Sequence, residues 1–206
     1  MSSELTLSVD AMGGDDAPQM TLEGVKVALE MLPHVHILLF GDETKIAPVM
    51  DSVFGTSGLR DRVDIRHTPD MVSSHEKPSI ALRSGRNSSM RLAINSVRDG
   101  EASGVISAGN TGALMAMAKF VMKTLPGINR PAIAAVLPTE RGKTVMLDLG
   151  ANIECNAENL TQFAVMGEVF ARNVLGLAKP TIGLLNVGVE GMKGKESVRE
   201  TARILE

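Results

Sequence analysis

The sequence predicts an α/β fold, an open and mostly parallel sheet with helices on both faces, with a candidate antiparallel pair at one edge. Three observations predict it. Short apolar or β-branched runs alternate with longer stretches of helical period along nearly the whole chain. Those runs are close to continuously apolar, as strands buried on both faces are. Polar, glycine-bearing segments gather after the runs rather than before them, which is how a Rossmann-like sheet with one ligand-binding edge reads. At 206 residues, 44% hydrophobic and 22% charged, the chain suffices for a real core and is expected to form one α/β domain over residues 1–206.

Taken in order, Leu5–Val9 is the first expected strand and Thr21–Met31 the helix that follows. Val35–Phe40 and Thr44–Phe54 repeat the unit, and Val63–Arg66 is a short, more polar third strand. One long helix is expected over Ser79–Arg98, with Pro78 at its first position, where a missing N–H is harmless. Gly104–Ile106 precedes a helix over Thr111–Lys123 that Asn110 or Thr111 can cap. Ala132–Leu137 and Thr144–Leu149 are joined through Pro138–Lys143, short enough for an edge hairpin. Ala157–Leu175, a strand at Thr181–Leu185 and Glu196–Leu205 complete the pattern. The last carries Val198, Ala202 and Leu205 on one helical face.

Composition removes several function classes. Net charge is 21 − 24 = −3, aromatics are 2%, and Trp and Tyr are absent, so neither a basic field nor a base-stacking platform serves nucleic acid. Cys155 is the sole cysteine, which excludes a disulfide within the chain and an all-cysteine zinc site. His34 and His36 would share a strand face without a third ligand, so no metal is expected. The first strand–helix turn lacks a Gly-x-Gly-x-x-Gly fingerprint and no Gly-Lys-Ser/Thr follows the fourth strand. No cofactor is expected. No apolar run reaches the ~20 residues of a membrane span, and the stretch from Met1 to Leu5 lacks the features of an export signal. The expected compartment is the cytoplasm.

The chemistry is expected in the segments after the strands: Asp10–Asp16, Gly41–Glu43, Ser107–Gly112, Asp148–Asn152 and Asn186–Gly191. In an open parallel sheet these converge on one edge. Ser107, Gly109, Asn110 and Thr111 combine close backbone approach with a helix N-terminus, a combination suited to an anion. Lys77, Arg83 and Arg86 lie around Pro78 and the helix after it, as candidate phosphate partners. Asp10 and Asp15 flank Gly13 and Gly14, and Glu190, Lys193 and Lys195 are interleaved with Gly188, Gly191 and Gly194. Cys155 has no histidine after it, so an activated thiolate lacks a partner. The stretch Ala113–Ala118 with Met122 reads first as core, with an acyl groove or a dimer seam as alternatives.

Read together, these pieces resemble the phosphate acyltransferase family of bacterial phospholipid synthesis. The matching segments are Asp10-Ala-Met-Gly-Gly-Asp15, Gly41-Asp-Glu43, Lys77-Pro-Ser-Ile-Ala-Leu-Arg83, Ser107-Ala-Gly-Asn-Thr-Gly-Ala113, Gly127-Ile-Asn-Arg-Pro-Ala132, Leu147-Asp-Leu-Gly-Ala-Asn152 and Leu184-Leu-Asn-Val-Gly-Val-Glu190 with Lys193-Gly194. Gly191 departs from the second acidic residue the family usually has there. The family continues beyond the stretch equivalent to this chain, so the chain reads as its N-terminal part. The resemblance implies transfer of a long-chain acyl group from acyl carrier protein to inorganic phosphate, giving acyl phosphate. It implies a homodimer with loose, peripheral membrane association. It assigns phosphate to Ser107, Gly109, Asn110 and Thr111 with Lys77 or Arg83, and the thioester carbonyl to Asn152, Asn186 and Lys193. Asp10, Gly13, Gly14, Asp15 and Glu190 would shape the pocket. Acyl carrier protein is acidic, so Arg83, Arg86 and Arg91 are its expected basic docking patch. A phosphotransacetylase-like enzyme using coenzyme A thioesters, and a non-catalytic binding fragment, are the rival readings.

Overall fold

Strand β2 (Val35–Gly41) shows why the first half of the chain layers as it does. Its alternate side chains divide between two cores: Val35, Ile37 and Leu39 join one cluster, while Leu38 and Phe40 join another on the opposite face. In the computed structural model, which describes residues 5–140, 142–188, 190 and 192–206, β2 is an interior strand. Gly191 lies outside the described residues. The contacts divide the chain into two compact units, Met1–Lys123 and Thr124–Glu206.

In the first unit β1 (Leu5–Asp10), β2, β3 (Val63–His67) and β4 (Gly104–Ile106) form a parallel sheet in the order β3-β2-β1-β4. Helices α1 (Gln19–Met31) and α2 (Glu43–Phe54) bury Leu22, Val25, Leu29, Ile46, Met50 and Phe54 with the Ile37 face. Helix α4 (Ser89–Arg98) covers the other face, with Ala93 against Leu38 and Phe40. Ser8 pins β1 to that helix by donating to the Ala93 carbonyl at 2.8 Å. Helices on both faces of a parallel sheet are the class the sequence predicted.

The expected single helix over Ser79–Arg98 is two, α3 (Pro78–Ser84) and α4. Ser88 makes the break, accepting from the Arg91 N–H at 3.3 Å as the cap of α4 and donating to the Gly85 carbonyl at 2.7 Å. Gly85 ends α3 where a Cβ would lie 2.7 Å from the Ala81 carbonyl oxygen. Helix α5 (Thr111–Met122) buries Ala113, Met117 and Val121 against Val72, Ala81, Met90 and Ile94, so that face of its methionine stripe is core.

In the second unit β5 (Ala134–Thr139) and β6 (Gly142–Leu147) pair antiparallel, Val136 opposite Val145, as a two-stranded sheet of their own. The expected antiparallel pair exists, but not at the edge of the four-stranded sheet. Helix α6 (Ala157–Leu175) starts at a reciprocal cap between Asn156 and Asn159 and ends on left-handed Gly176. Helix α7 (Glu196–Leu205) packs on α6, with Thr201 buried between them. The strand expected at Thr181–Leu185 does not form; the segment is irregular and pairs with no strand. Among the described residues, no helix is long and apolar enough to cross a membrane.

Candidate functional site

Strand β1 delivers Asp10 to the edge of the sheet, yet its carboxylate is only 2% exposed. A charge taken out of water needs donors, and it has them. Oδ1 accepts from Ser89 Oγ at 2.6 Å and from the Met12 N–H at 3.3 Å, and Oδ2 accepts from Ser107 Oγ at 2.7 Å. The Ser107 oxygen in turn accepts from the Gly109 N–H at 3.1 Å. A Cβ on Gly13 would sit 2.7 Å from Asp10 Oδ2 and 2.8 Å from both Gly109 N and Ser107 Oγ. Only glycine lets the turn after β1 lie against the turn after β4. Gly14 beside it adopts φ +112°, and Asp15 points into solvent.

Asn110 is the cap of α5, and both ends of its amide are engaged. Oδ1 accepts from the Ala113 N–H at 3.0 Å, while Nδ2 donates to the carbonyls of Ser73, Ser74 and Glu76 at 3.2, 3.2 and 2.8 Å. It thereby fastens the segment before α3 to the start of α5. Pro78 presses on Gly112, where a Cβ would approach its Cγ to 2.8 Å. Thr111 and Gly112 are exposed, and among the described residues their N–H groups have no hydrogen-bond acceptor. Lys77, the residue before Pro78, is exposed, and Arg83 is exposed with its Nε donating to Ser79 O at 3.1 Å. The predicted residues Asp10, Gly13, Ser107, Gly109 and Asn110 are thus brought together, with Thr111 next in chain. Asp15 and Arg83 remain at the surface. On α4, burial and the charges of Arg98 and Arg86 lower the Arg91 pKa, and its guanidinium lies 5.3 Å from the Phe120 ring centroid.

In the second unit Asn152 is clasped by Asp148. The Asp148 Oδ2 accepts from the Asn152 N–H at 2.7 Å and from its Nδ2 at 2.9 Å, and Nδ2 also donates to the Pro131 carbonyl at 3.0 Å. Oδ1 accepts from the Ile133 N–H at 2.9 Å. Burial pushes the Asp148 carboxyl up, but these donors and the Ala151 N–H outweigh it and hold the pKa below the ordinary carboxylate value. Burial and the Asp148 charge push the Cys155 thiol up, against the weaker opposing charges of Arg130 and Lys195. Cys155 is therefore a protonated thiol at neutral pH, not an activated nucleophile.

Asn152 and Cys155 also line a cavity of about 590 Å³ between β6, α6 and residues 177–185. Asn186 belongs to a separate loop. Its Nδ2 donates to the Lys193 carbonyl at 3.1 Å, and Gly194, at φ +88°, lies so close to its amide that no side chain fits there. Glu190 and Lys193 pair at 3.6 Å beside Gly188.

Two residues that organise these groups received no role of their own from the sequence. Ser89 holds Asp10 from 79 positions away, and no local pattern announces such a contact. Asp148 has a local signal: it stands in a Gly-bearing turn directly after a strand, where its carboxylate accepts from the Asn152 N–H.

The chain matches the family described as fatty acid synthesis protein over residues 5–206. It is 58% identical over 206 residues to a phosphate acyltransferase of Rhodospirillum rubrum, covering 100% of this chain and 58% of that protein. It is 50% identical over 205 residues to one from Halorhodospira halophila, covering 100% and 59%. The chain therefore spans somewhat over half the length of these curated relatives. Among solved structures it resembles the EutD phosphotransacetylase from Staphylococcus aureus, with TM-score 0.67 and 17% identity over 98% of this chain and 64% of that one. That likeness is one of fold.

Proposed function

This chain belongs to the fatty acid synthesis protein family, and from that premise we propose that it serves an acyltransferase moving a long-chain acyl group from acyl carrier protein to inorganic phosphate. The observation that carries the reading is the start of α5: two exposed N–H groups, Thr111 and Gly112, at a helix N-terminus braced from below by Asp10 and Ser107. Free backbone donors at that end of a helix favour an anion. The names of the 50–58% identical relatives supply the reaction class.

The chemistry asks little of acid–base groups. Phosphate is anionic near neutral pH, and a thiolate leaves readily because its conjugate acid has a pKa of ~8.5. A phosphate oxygen attacks the thioester carbonyl carbon, the C–O bond forms, and the C–S bond breaks to release thiolate and acyl phosphate. The protein's contribution is to hold the phosphate in line and stabilise the oxyanion. Positioning contributes on the order of 7–11 kcal/mol and each aimed donor roughly 3 kcal/mol. In this reading Thr111, the N–H groups of α5 and Lys77 hold phosphate, while Ser107, Gly109 and Asn110 fix the turn that presents them. Arg83 adds charge. The carbonyl role that the resemblance gives Asn152, Asn186 and Lys193 falls on residues of the second unit, where Glu190 pairs with Lys193. Asp10, Gly13 and Gly14 form the floor, with Asp15 exposed beside them.

Acyl carrier protein would dock by charge on Arg86 and Arg91, with Arg83 alongside, and raising salt should weaken that association. A homodimer at the cytoplasmic membrane surface would pass on a lipophilic product. The test is acyl-phosphate formation by this chain and by a full-length relative, with acyl carrier protein and coenzyme A thioesters as competing donors. Turnover that prefers the carrier-protein thioester supports the proposal, preference for coenzyme A replaces it with the phosphotransacetylase-like reaction, and turnover by the relative alone leaves this chain a binding fragment. Crystals soaked in phosphate should show density at the N–H groups of Thr111 and Gly112.

A further inference from the structure

The segment leading from β3 into α3 meets helix α5 at three successive points. Val72, 6% exposed, packs in one cluster with Ala113 and Met117. The carbonyls of Ser73, Ser74 and Glu76 converge on Asn110 Nδ2 at 3.2, 3.2 and 2.8 Å. Pro78 closes the row, its Cγ 2.8 Å from where a Cβ on Gly112 would stand. Lys77 lies between the second point and the third, and its carbonyl accepts from the Ile80 and Ala81 N–H groups as α3 begins.

The middle point decides where Lys77 is held. Among the described residues, Asn110 makes every hydrogen bond that ties residues 73–75 to another element. The bonds from the His75 N–H to Ser73 Oγ at 3.5 Å and from the Glu76 N–H to the Ser73 carbonyl at 3.1 Å stay within the segment. Ser73, Ser74, His75 and Lys77 are exposed, so packing does not replace the amide's grip. A primary amide has two protons, and three carbonyls already share them. Its oxygen is engaged as well, by the Ala113 N–H at 3.0 Å. Asn110 therefore has no donor left for a ligand, although it caps the helix end that faces the proposed anion.

We propose that Asn110 is a positioning residue for phosphate and acts through Lys77. By gripping residues 73–76 it fixes the backbone that carries Lys77 into Pro78 and so onto Gly112, and neither end of its amide touches the anion. A lysine is a point charge on a flexible stem, so its value to an anion depends on how firmly its backbone is placed. A loose segment would have to be ordered again at each binding event, which lowers affinity. With the segment held, α5 supplies the backbone donors and also the platform for the cation, all inside the first unit. This inference rests on the phosphate reading of the α5 turn.

The test is a double-substitution cycle on the 206-residue chain, with inorganic phosphate as the probe and its dissociation constant read by calorimetry. Asn110→Ser keeps a capping oxygen and removes the amide protons, and Lys77→Met removes the charge. Each alone should weaken phosphate binding about fivefold or more, and the pair should be at most about twofold weaker than Lys77→Met, because both act through one charge. Asn110→Thr, a second cap without amide protons, should behave as Asn110→Ser does. In both, the Thr111 and Gly112 amide resonances should still move when phosphate is added, since α5 keeps its first turn. The inference alone is overturned if Lys77→Met weakens binding while the Asn110 variants do not, if the losses multiply in the pair, or if those resonances stop responding in both Asn110 variants. If the unsubstituted chain binds no phosphate, or Lys77→Met binds it equally well, the phosphate role of Lys77 falls and this inference with it.

Discussion

At the scale of single residues, one carboxylate sets the geometry of the proposed anion turn. Asp10 accepts from two serine hydroxyls and a backbone N–H while almost wholly buried. Asp10→Ala should cost about 1–3 kcal/mol for each hydroxyl left unpaired, measured by urea unfolding, and should abolish phosphate-dependent turnover in the full-length enzyme. Gly13→Ala tests the same knot by excess volume. Its Cβ would meet three polar atoms at 2.7–2.8 Å, so stability should fall by roughly 1–3 kcal/mol, with turnover falling further because Ser107 and Gly109 are displaced. Asp148 gives a pH signature. Its folded-state pKa lies below the ordinary aspartate value, so the stabilisation is complete above that ordinary value and is lost as the pH falls through the lower folded one. Acid titration of Asp148→Asn should show a shallower loss of stability below about pH 4 than the unsubstituted chain.

At the scale of elements, Asn110 does two jobs with one amide, capping α5 and tying down residues 73–76. Asn110→Ala should cost about 1–2 kcal/mol and speed hydrogen exchange across the Ser73–Lys77 segment. Asn110→Asp, which keeps the cap but loses the amide donors, should restore the former and not the latter. The same scale shows what could be read in advance. The strands of the first unit, the cap at Asn110 and the helix-opening Pro78 were legible, because apolar runs and helix-start residues act locally. The split of Ser79–Arg98 had a local signal in Gly85 through Ser88 that helical periodicity masked. Thr181–Leu185 reads as a strand but pairs with none; a strand needs neighbours, and those are not a local property. The Ser89–Asp10 and Asn110–Glu76 contacts lay beyond reach because they join segments 79 and 34 residues apart. Of the residues assigned to catalysis, Asn152 lines the cavity whereas Asn186 and Lys193 lie in a self-bonded loop. Nothing in residue type separated those two environments.

At the scale of the whole molecule, the two units differ in how much interior they own. The first has three clusters of buried apolar side chains, and the second buries Ala157, Phe163 and Ala171 among its described residues. Amides of α6 and α7 should therefore exchange at least tenfold faster than those of β1 and β2, roughly 1.4 kcal/mol per factor of ten. Protease should cut between Thr124 and Glu206 before it touches the four-stranded sheet. The knot at Asp10 sets a different kind of boundary. A designer who transplants the Ser107–Gly112 turn into another scaffold moves only the visible half of the device, because its rigidity is borrowed from a glycine in a different turn and a serine at the start of a different helix. Those residues would have to travel with it, and a chimera lacking Ser89 would inherit the sequence signature without the shape.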